Sequence, residues 1–364
     1  MIYLDHAATT PICEAAKKVI VEHIDDFGNP SSSHEVGHKA LMLIEDARER
    51  IAKCINAEPD EIYFTSGGSE ANSWALLGRK RLASWIEHHS IMTNYGFSVE
   101  EDGVTNPNYV RTVVEYYNRK PNLYIPEMIS CMTVNNEIGT IQPIKKIAEV
   151  VHDNDMLFHT DAVQAVGHIP IDVKDLDVDM LSASGHKFGA PKGVGFLYVK
   201  NGTETFPLIH GGKQERESRG GTENVLGIVA MAAALEYSVK RMNVINDSIC
   251  TFRDMLLNTL LDIDGVYLNG SLEDRVVSNI NIRIDGVKGD DVVAMADQYG
   301  ICISTGSACN EGIAAPSHVL KAIGLSDEEA LSSIRITLGH ENTFEEIERV
   351  CDILPKIITR LRTI

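Results

Sequence analysis

The stretch Leu181-Ser-Ala-Ser-Gly-His-Lys-Phe-Gly-Ala-Pro-Lys-Gly-Val-Gly195 decides how this chain is read. An apolar run enters Ser184-Gly185-His186-Lys187 and then meets a turn rich in glycine and proline. One lysine therefore stands at a strand end, among residues small enough to leave room for a planar ligand. Upstream, Phe158-His-Thr-Asp161-Ala-Val-Gln164 ends a second apolar run in an acid. Similar short runs recur at Glu61–Thr65, Met128–Val134, Met156–His159, Met180–Ser182 and Gly195–Val199, with helical segments such as Ile144–His152 between them. Nearly unbroken apolar strands alternating with helices predict a mainly parallel sheet covered on both faces. Ligands in such α/β sheets collect beyond the carboxyl ends of the strands, where Lys187 and Asp161 fall.

After about residue 225 the texture changes. Val225 to Arg241 reads as a long, alanine-rich helix and a boundary element. Asn279-Ile-Asn-Ile-Arg-Ile-Asp285 alternates polar with apolar residues, as a strand with one solvated face does. A helix over Asp291–Gln298 and strands over Gly300–Ser304 and Ser333–Thr337 follow. The last helix opens on Thr343-Phe-Glu-Glu346, a capping box in which Thr and Glu satisfy free amides reciprocally. At 364 residues the chain exceeds what one core usually serves. The expectation is a large domain over residues 15–225 and a smaller α+β domain over 226–364 that also takes in 1–14.

A net charge of −19 repels phosphates at long range, which argues against a binder of nucleic acid or of a membrane surface. No apolar run approaches the ~20 residues that span a bilayer. The start, Met1-Ile-Tyr-Leu-Asp-His6, lacks the charged and apolar regions of a signal peptide, so a cytoplasmic protein is expected. Seven cysteines, at 13, 54, 131, 250, 302, 309 and 351, are scattered and odd in number, without metal-ligand spacing. That usage suits a reducing compartment with a thiol left free for chemistry.

A lysine and an aspartate at two strand ends meet the needs of pyridoxal 5'-phosphate (PLP). The lysine forms a Schiff base, and the acid keeps the pyridine nitrogen protonated so that the ring can take up electrons. Thr65-Ser-Gly-Gly-Ser69-Glu-Ala-Asn72, between a strand and a helix, offers Gly68 and Ser69 as a phosphate cradle. It lacks the Lys and Ser/Thr of a Walker motif, so nucleotide hydrolysis is not expected. Trp85-Ile-Glu-His88-His89 supplies a histidine that could stack on an aromatic cofactor and move protons. Asn136, just past a strand, offers an amide to a ring hydroxyl or a substrate carboxylate. Arg335, inside the apolar Ile334-Arg-Ile-Thr-Leu-Gly339, needs a carboxylate partner, either a substrate's or an internal one. Cys309, in Ser304-Thr-Gly-Ser-Ala-Cys309-Asn-Glu-Gly312, reads as a thiol on an exposed loop tip, and Cys302 as a strand residue.

Taken in order, these motifs resemble the cysteine desulfurases of the NifS/IscS type, PLP enzymes of the aspartate-aminotransferase-like fold type I. The resemblance runs through Tyr3–Pro11, Gly28-Asn-Pro-Ser-Ser-Ser-His34, Thr65–Asn72, Glu87-His88, Asn135–Gly139, His159–Gln164, Ser184–Lys187, Arg219-Gly-Gly-Thr222-Glu-Asn224, Gly306-Ser-Ala-Cys309 and Arg335, essentially the whole chain. It implies a homodimer that converts L-cysteine to L-alanine, with Lys187 as the Schiff-base lysine and Asp161 on the pyridinium. It implies that His88 stacks on the ring and that Gln164 and Asn136 bond the ring oxygen or substrate. Gly68, Ser69, Ser184 and His186 would hold the phosphate, joined by Thr222 of the other subunit. Arg335 would clamp the substrate carboxylate. Cys309 would take the sulfur as a persulfide and pass it to an acceptor such as an iron–sulfur scaffold or a thiolation enzyme. Two alternatives share parts of this pattern: a PLP-dependent selenocysteine or cystine lyase or transaminase, which needs Lys187 but not Cys309, and a non-catalytic sulfur-relay subunit. Two departures stand out. Asn72 to Glu87 is shorter than relatives usually show, which predicts a trimmed helix and strand. Glu311 beside Cys309 would tend to raise the thiol's pKa.

Overall fold

The computed structural model describes residues 1–120, 125–305 and 315–363. Its strands, in chain order, are β1 Ile2–Tyr3, β2 Ile62–Thr65, β3 Arg81–Ser84, β4 Gly96–Phe97, β5 Met128–Ser130, β6 Leu157–Asp161, β7 Met180–Ser184, β8 Gly195–Val199, β9 Val266–Leu268, β10 Asn279–Ile284, β11 Ile301–Cys302 and β12 Ser333–Thr337. Seven of them form the main sheet in the order β2-β8-β7-β6-β5-β3-β4. From β7 to β4 every pairing is parallel, while β8 runs antiparallel to both β2 and β7. All five residues of β7 and of β8 are buried, as continuous apolar strands covered on both faces should be. Helix Ile144–His152 lies where the periodicity puts it.

A second, three-stranded antiparallel sheet, β12-β10-β9, belongs to the carboxyl-terminal part, and β1 pairs in parallel with β11. The buried apolar residues fall into four clusters, two of them large. One runs from Cys13 to Val276 around the main sheet, and the other joins Ile2 and Leu4 to residues from Ile249 to Ile358. The alanine-rich helix extends much further than Arg241. It runs from Val225 to Leu261, burying Ile228, Met231, Ala234 and Leu235 among others in the first cluster and Leu256, Leu257 and Leu260 in the second.

Three sequence expectations shift. The strand predicted over Gly300–Ser304 narrows to β11, and Ser304 instead makes a bridge with Arg335. The polar face of β10 is buried, not solvated. The Asn279 and Asn281 side-chain amides both donate to the Glu137 carbonyl at 3.1 Å, and Asn281 accepts from Asn269 at 2.7 Å. Fully bonded amides allow a polar strand face to close against the main-sheet side. The segment between Asn72 and Glu87 is short but complete: helix Gly68–Ala75 is two turns long, and β3 follows it.

Candidate active site

Five strand ends converge on one cleft of about 390 Å³. β2 leads into Ser66-Gly67-Gly68-Ser69, β3 into His88, β5 into Met132 and Asn136, β6 into Asp161 and Gln164, and β7 into Ser184, His186 and Lys187. Arg335 comes from β12 and Ser304 from beyond β11. Gly68, Ser69, His88, Asn136, Asp161, Gln164, Ser184, His186, Lys187 and Arg335 thus share the lining, as expected from the sequence. Thr222 is exposed and lies outside it. Cys309 lies outside the described residues.

Lys187 sits in a short 3₁₀ turn, Gly185–Lys187, immediately after β7. Its Nζ donates to the carbonyls of Ala7 and Ala8 at 2.6 and 2.9 Å. Burial, helped by the nearby Arg335 guanidinium, pushes this amine down to about 8. A lysine so placed offers a larger neutral, nucleophilic fraction near pH 7 than a solvated one. Asp161 is buried at the end of β6, and burial pushes its carboxyl up. Bonds from the Val163 amide at 2.9 Å and the Asn72 side chain at 2.7 Å oppose that shift, as do His88 and Lys187.

The turn after β2 begins helix Gly68–Ala75. Gly67 at its N-cap has φ of 152°, a region that side chains rarely adopt. A Cβ at Gly68 would lie 2.6 Å from Val163 Cγ2, so the backbone there comes as close to its neighbours as glycine allows. Glu70 in the first turn accepts from the Ser66 amide at 2.8 Å and pairs with Arg219 at 2.8 and 3.1 Å, which ties the turn to the stretch before Thr222. His186 bonds Thr9 Oγ1 through Nδ1 at 3.1 Å, and burial lowers it to about 4, so it is neutral at pH 7. Gln164 uses its amide nitrogen on the Ala7 carbonyl at 2.9 Å.

Of the two partners the sequence left open for Arg335, the structure holds the internal one, Asp5. The Arg335 Nη2 pairs with Asp5 at 2.7 Å and its Nη1 donates to the Asn136 carbonyl at 2.9 Å. Its Nε is buried and has no partner among the described residues, and the residue as a whole lines the cleft. An orphaned guanidinium N–H is costly and suits an arriving carboxylate. The residues present therefore fit PLP and an amino acid: an amine of lowered pKa, a buried carboxylate, a glycine turn at a helix start and an unfilled cationic donor.

Asp5, Ala7, Ala8, Asn72 and Ser90 were not assigned to the site from the sequence. Asp5, Ala7 and Ala8 stand in Tyr3–Pro11, and Asn72 closes Thr65–Asn72, so the motifs pointed to these segments without giving the roles.

A mainly parallel sheet with a lysine and an aspartate at two strand ends and a glycine turn at a helix start has the architecture of the fold type I PLP proteins. The chain belongs to the class-V aminotransferase family, whose model matches residues 2–350. It is 40% identical to cysteine desulfurase IscS of Methanosarcina thermophila, across 99% of this chain and 93% of that one. It is 42% identical to cysteine desulfurase IscS of Dictyoglomus turgidum, across 100% and 96%. A solved NifS-like protein from Rickettsia africae superposes with a TM-score of 0.89 at 30% identity, covering 99% of both chains. The structure titled SspA in complex with cysteine superposes with a TM-score of 0.79 at 33% identity, covering 94% of this chain and all of the other.

Proposed function

We propose that the protein is a PLP-dependent L-cysteine desulfurase: L-cysteine and the Cys309 thiol become L-alanine and a Cys309 persulfide. The substrate's C–S bond breaks, an S–S bond forms to Cys309, and protons end on the carbon skeleton. The observation that carries this reading is the convergence of Lys187, Asp161 and Arg335 on one cleft. Bound there, PLP supplies an electrophilic carbon for an amine and an electron sink. Lys187 would hold it covalently, Asp161 would keep its ring nitrogen protonated, and Gly68, Ser69, Ser184 and His186 would bind its phosphate. Arg335, already braced by Asp5, orients the substrate carboxylate. His88 borders the cleft and moves protons.

Whole-length likeness to relatives named cysteine desulfurase IscS favours this reading over a lyase or a relay subunit. A homodimer is part of it: Val21, Ile24, Phe27 and Met42 are strongly exposed on one protomer, and a second copy would cover such side chains. Thr222 would then reach the partner's phosphate. The six described cysteines are free, which suits a reducing cytoplasm. The sulfur acceptor is proposed as an iron–sulfur scaffold or thiolation enzyme. Incubation with L-cysteine followed by mass spectrometry of the Cys309 peptide tests the mechanism. A gain of one sulfur there is expected, and full alanine production by Cys309→Ala would overturn the persulfide step.

A further inference from the structure

A chain of hydrogen bonds runs outward from Asp161 to His88. Asn72 Nδ2 lies 2.7 Å from Asp161 Oδ2 and 2.9 Å from Ser90 Oγ, and Ser90 Oγ lies 2.8 Å from His88 Nδ1. Each link fixes the direction of the next. Asp161 accepts on both oxygens, from the Val163 amide at Oδ1 and from Asn72 at Oδ2, so Asn72 turns its NH₂ and not its carbonyl toward it. The second N–H of that amide then falls on Ser90 Oγ. Having accepted there, the Ser90 hydroxyl has its own proton to give, and His88 Nδ1 is the atom it meets. The Ser90 backbone amide also donates to Nδ1, at 3.2 Å.

We propose that Asp161, through Asn72 and Ser90, holds His88 as the neutral tautomer with its proton on Nε2. Asn72 and Ser90 are thereby positioning residues of the site. Nδ1, the target of two donors, is closed as a proton acceptor, and Nε2 has no partner among the described residues. His88 then meets a ligand as an N–H donor, and its proton traffic with the cleft passes through one atom. The groups that face it are Asp161, which favours a proton on the ring, and His89, Lys187 and His318, which oppose one. His89 in turn packs on His318 with ring centroids 4.8 Å apart.

The tautomer rests on hydrogen bonds of the chain itself, and its use in catalysis rests on the proposed reaction. The test reads the PLP-free full chain, so the two can fail separately. Two-bond ¹H–¹⁵N spectra of ring-labelled histidine, assigned with His88→Gln, should give His88 a protonated Nε2 and an unprotonated, hydrogen-bonded Nδ1. Ser90→Ala should move the Nδ1 resonance and mix the tautomers, and Ser90→Thr, which keeps the hydroxyl, should restore the native pattern. A protonated Nδ1 in the native chain, or a pattern unchanged in Ser90→Ala, overturns the proposal.

Discussion

At the residue scale, Lys187 carries the largest consequence. Its amine titrates near 8 in the folded chain against 10.5 in the open. Below about 8 it is protonated in both states, and the folded state carries the burial penalty. Between the two values the unfolded chain binds more protons, so stability rises with pH across that window. Denaturation of the PLP-free protein from about pH 8 to 10.5 should show this rise, and Lys187→Met should flatten it; equal slopes would refute the assignment. Arg335→Lys is the complementary test. A lysine keeps the charge but loses the planar fork that serves Asp5 and Asn136 together, and with it the proposed grip on the substrate carboxylate. The lost charged hydrogen bond is worth about 1.5–3 kcal/mol, so kcat/KM for L-cysteine should fall about ten- to hundredfold. An unchanged kcat/KM would remove Arg335 from substrate binding. Both residues were legible because a lysine at a strand end and a cation inside an apolar strand each demand an explanation. Asn72 was not: nothing local announces that its amide bonds a carboxylate 89 residues away.

Elements were legible in proportion to how locally their signals act. The run Met180–Ser182 lies in a fully buried strand, Met180–Ser184, and Thr343 and Glu346 close the predicted capping box. β10 misled, because alternation gives the period of a strand but not what covers its polar face. Asn281 now serves as a test of that burial. Replacing it with valine leaves the Glu137 carbonyl to Asn279 alone and takes the acceptor from one N–H of the buried Asn269 amide, which keeps only Ser333. A loss of about 1–3 kcal/mol is expected for an unsatisfied buried group, read as a lower denaturation midpoint. A variant as stable as the native chain would mean that water reaches this seam. The segment 215–217 escaped notice for a different reason. Glu215, Arg216 and Glu217 all have positive φ, of 44°, 56° and 65°, without a glycine to announce it. Tertiary bonds hold them there: Glu215 pairs with buried Arg48 at 2.9 Å and accepts from the Phe64 amide at 2.8 Å, while Arg216 donates to the Ile62 carbonyl at 2.7 Å. Removing one partner of a buried pair costs about 3–5 kcal/mol, so Glu215→Gln should loosen this segment from β2 and lower the unfolding temperature.

At the scale of the molecule, the cleft draws its lining from the strand ends of the main sheet and from Ser304 and Arg335 of the carboxyl-terminal part, and the amino-terminal arm touches both. Leu4 packs in the second cluster, Asp5 braces Arg335 from β12, and the carbonyls of Ala7 and Ala8 take the amine that follows β7. An arm of so few residues announces none of this in its own sequence, since each contact is made with a segment far along the chain. The same reasoning extends past the protomer. Thr222 lies outside its own cleft, and the stretch leading to it is fastened by Arg219 to Glu70 beside the phosphate turn. If Thr222 serves a neighbouring subunit, activity lost in two different variants should return on mixing. Lys187→Ala removes the amine, and Thr222→Asp sets a negative charge against the phosphate, so each pure dimer should be nearly inactive. A mixed dimer holds one site in which the intact Lys187 of one subunit faces the intact Thr222 of the other. Unfolding and refolding the two variants together should therefore restore alanine production that neither shows alone. No recovery, with mixed dimers present by mass, would return Thr222 to its own subunit and leave each site self-contained.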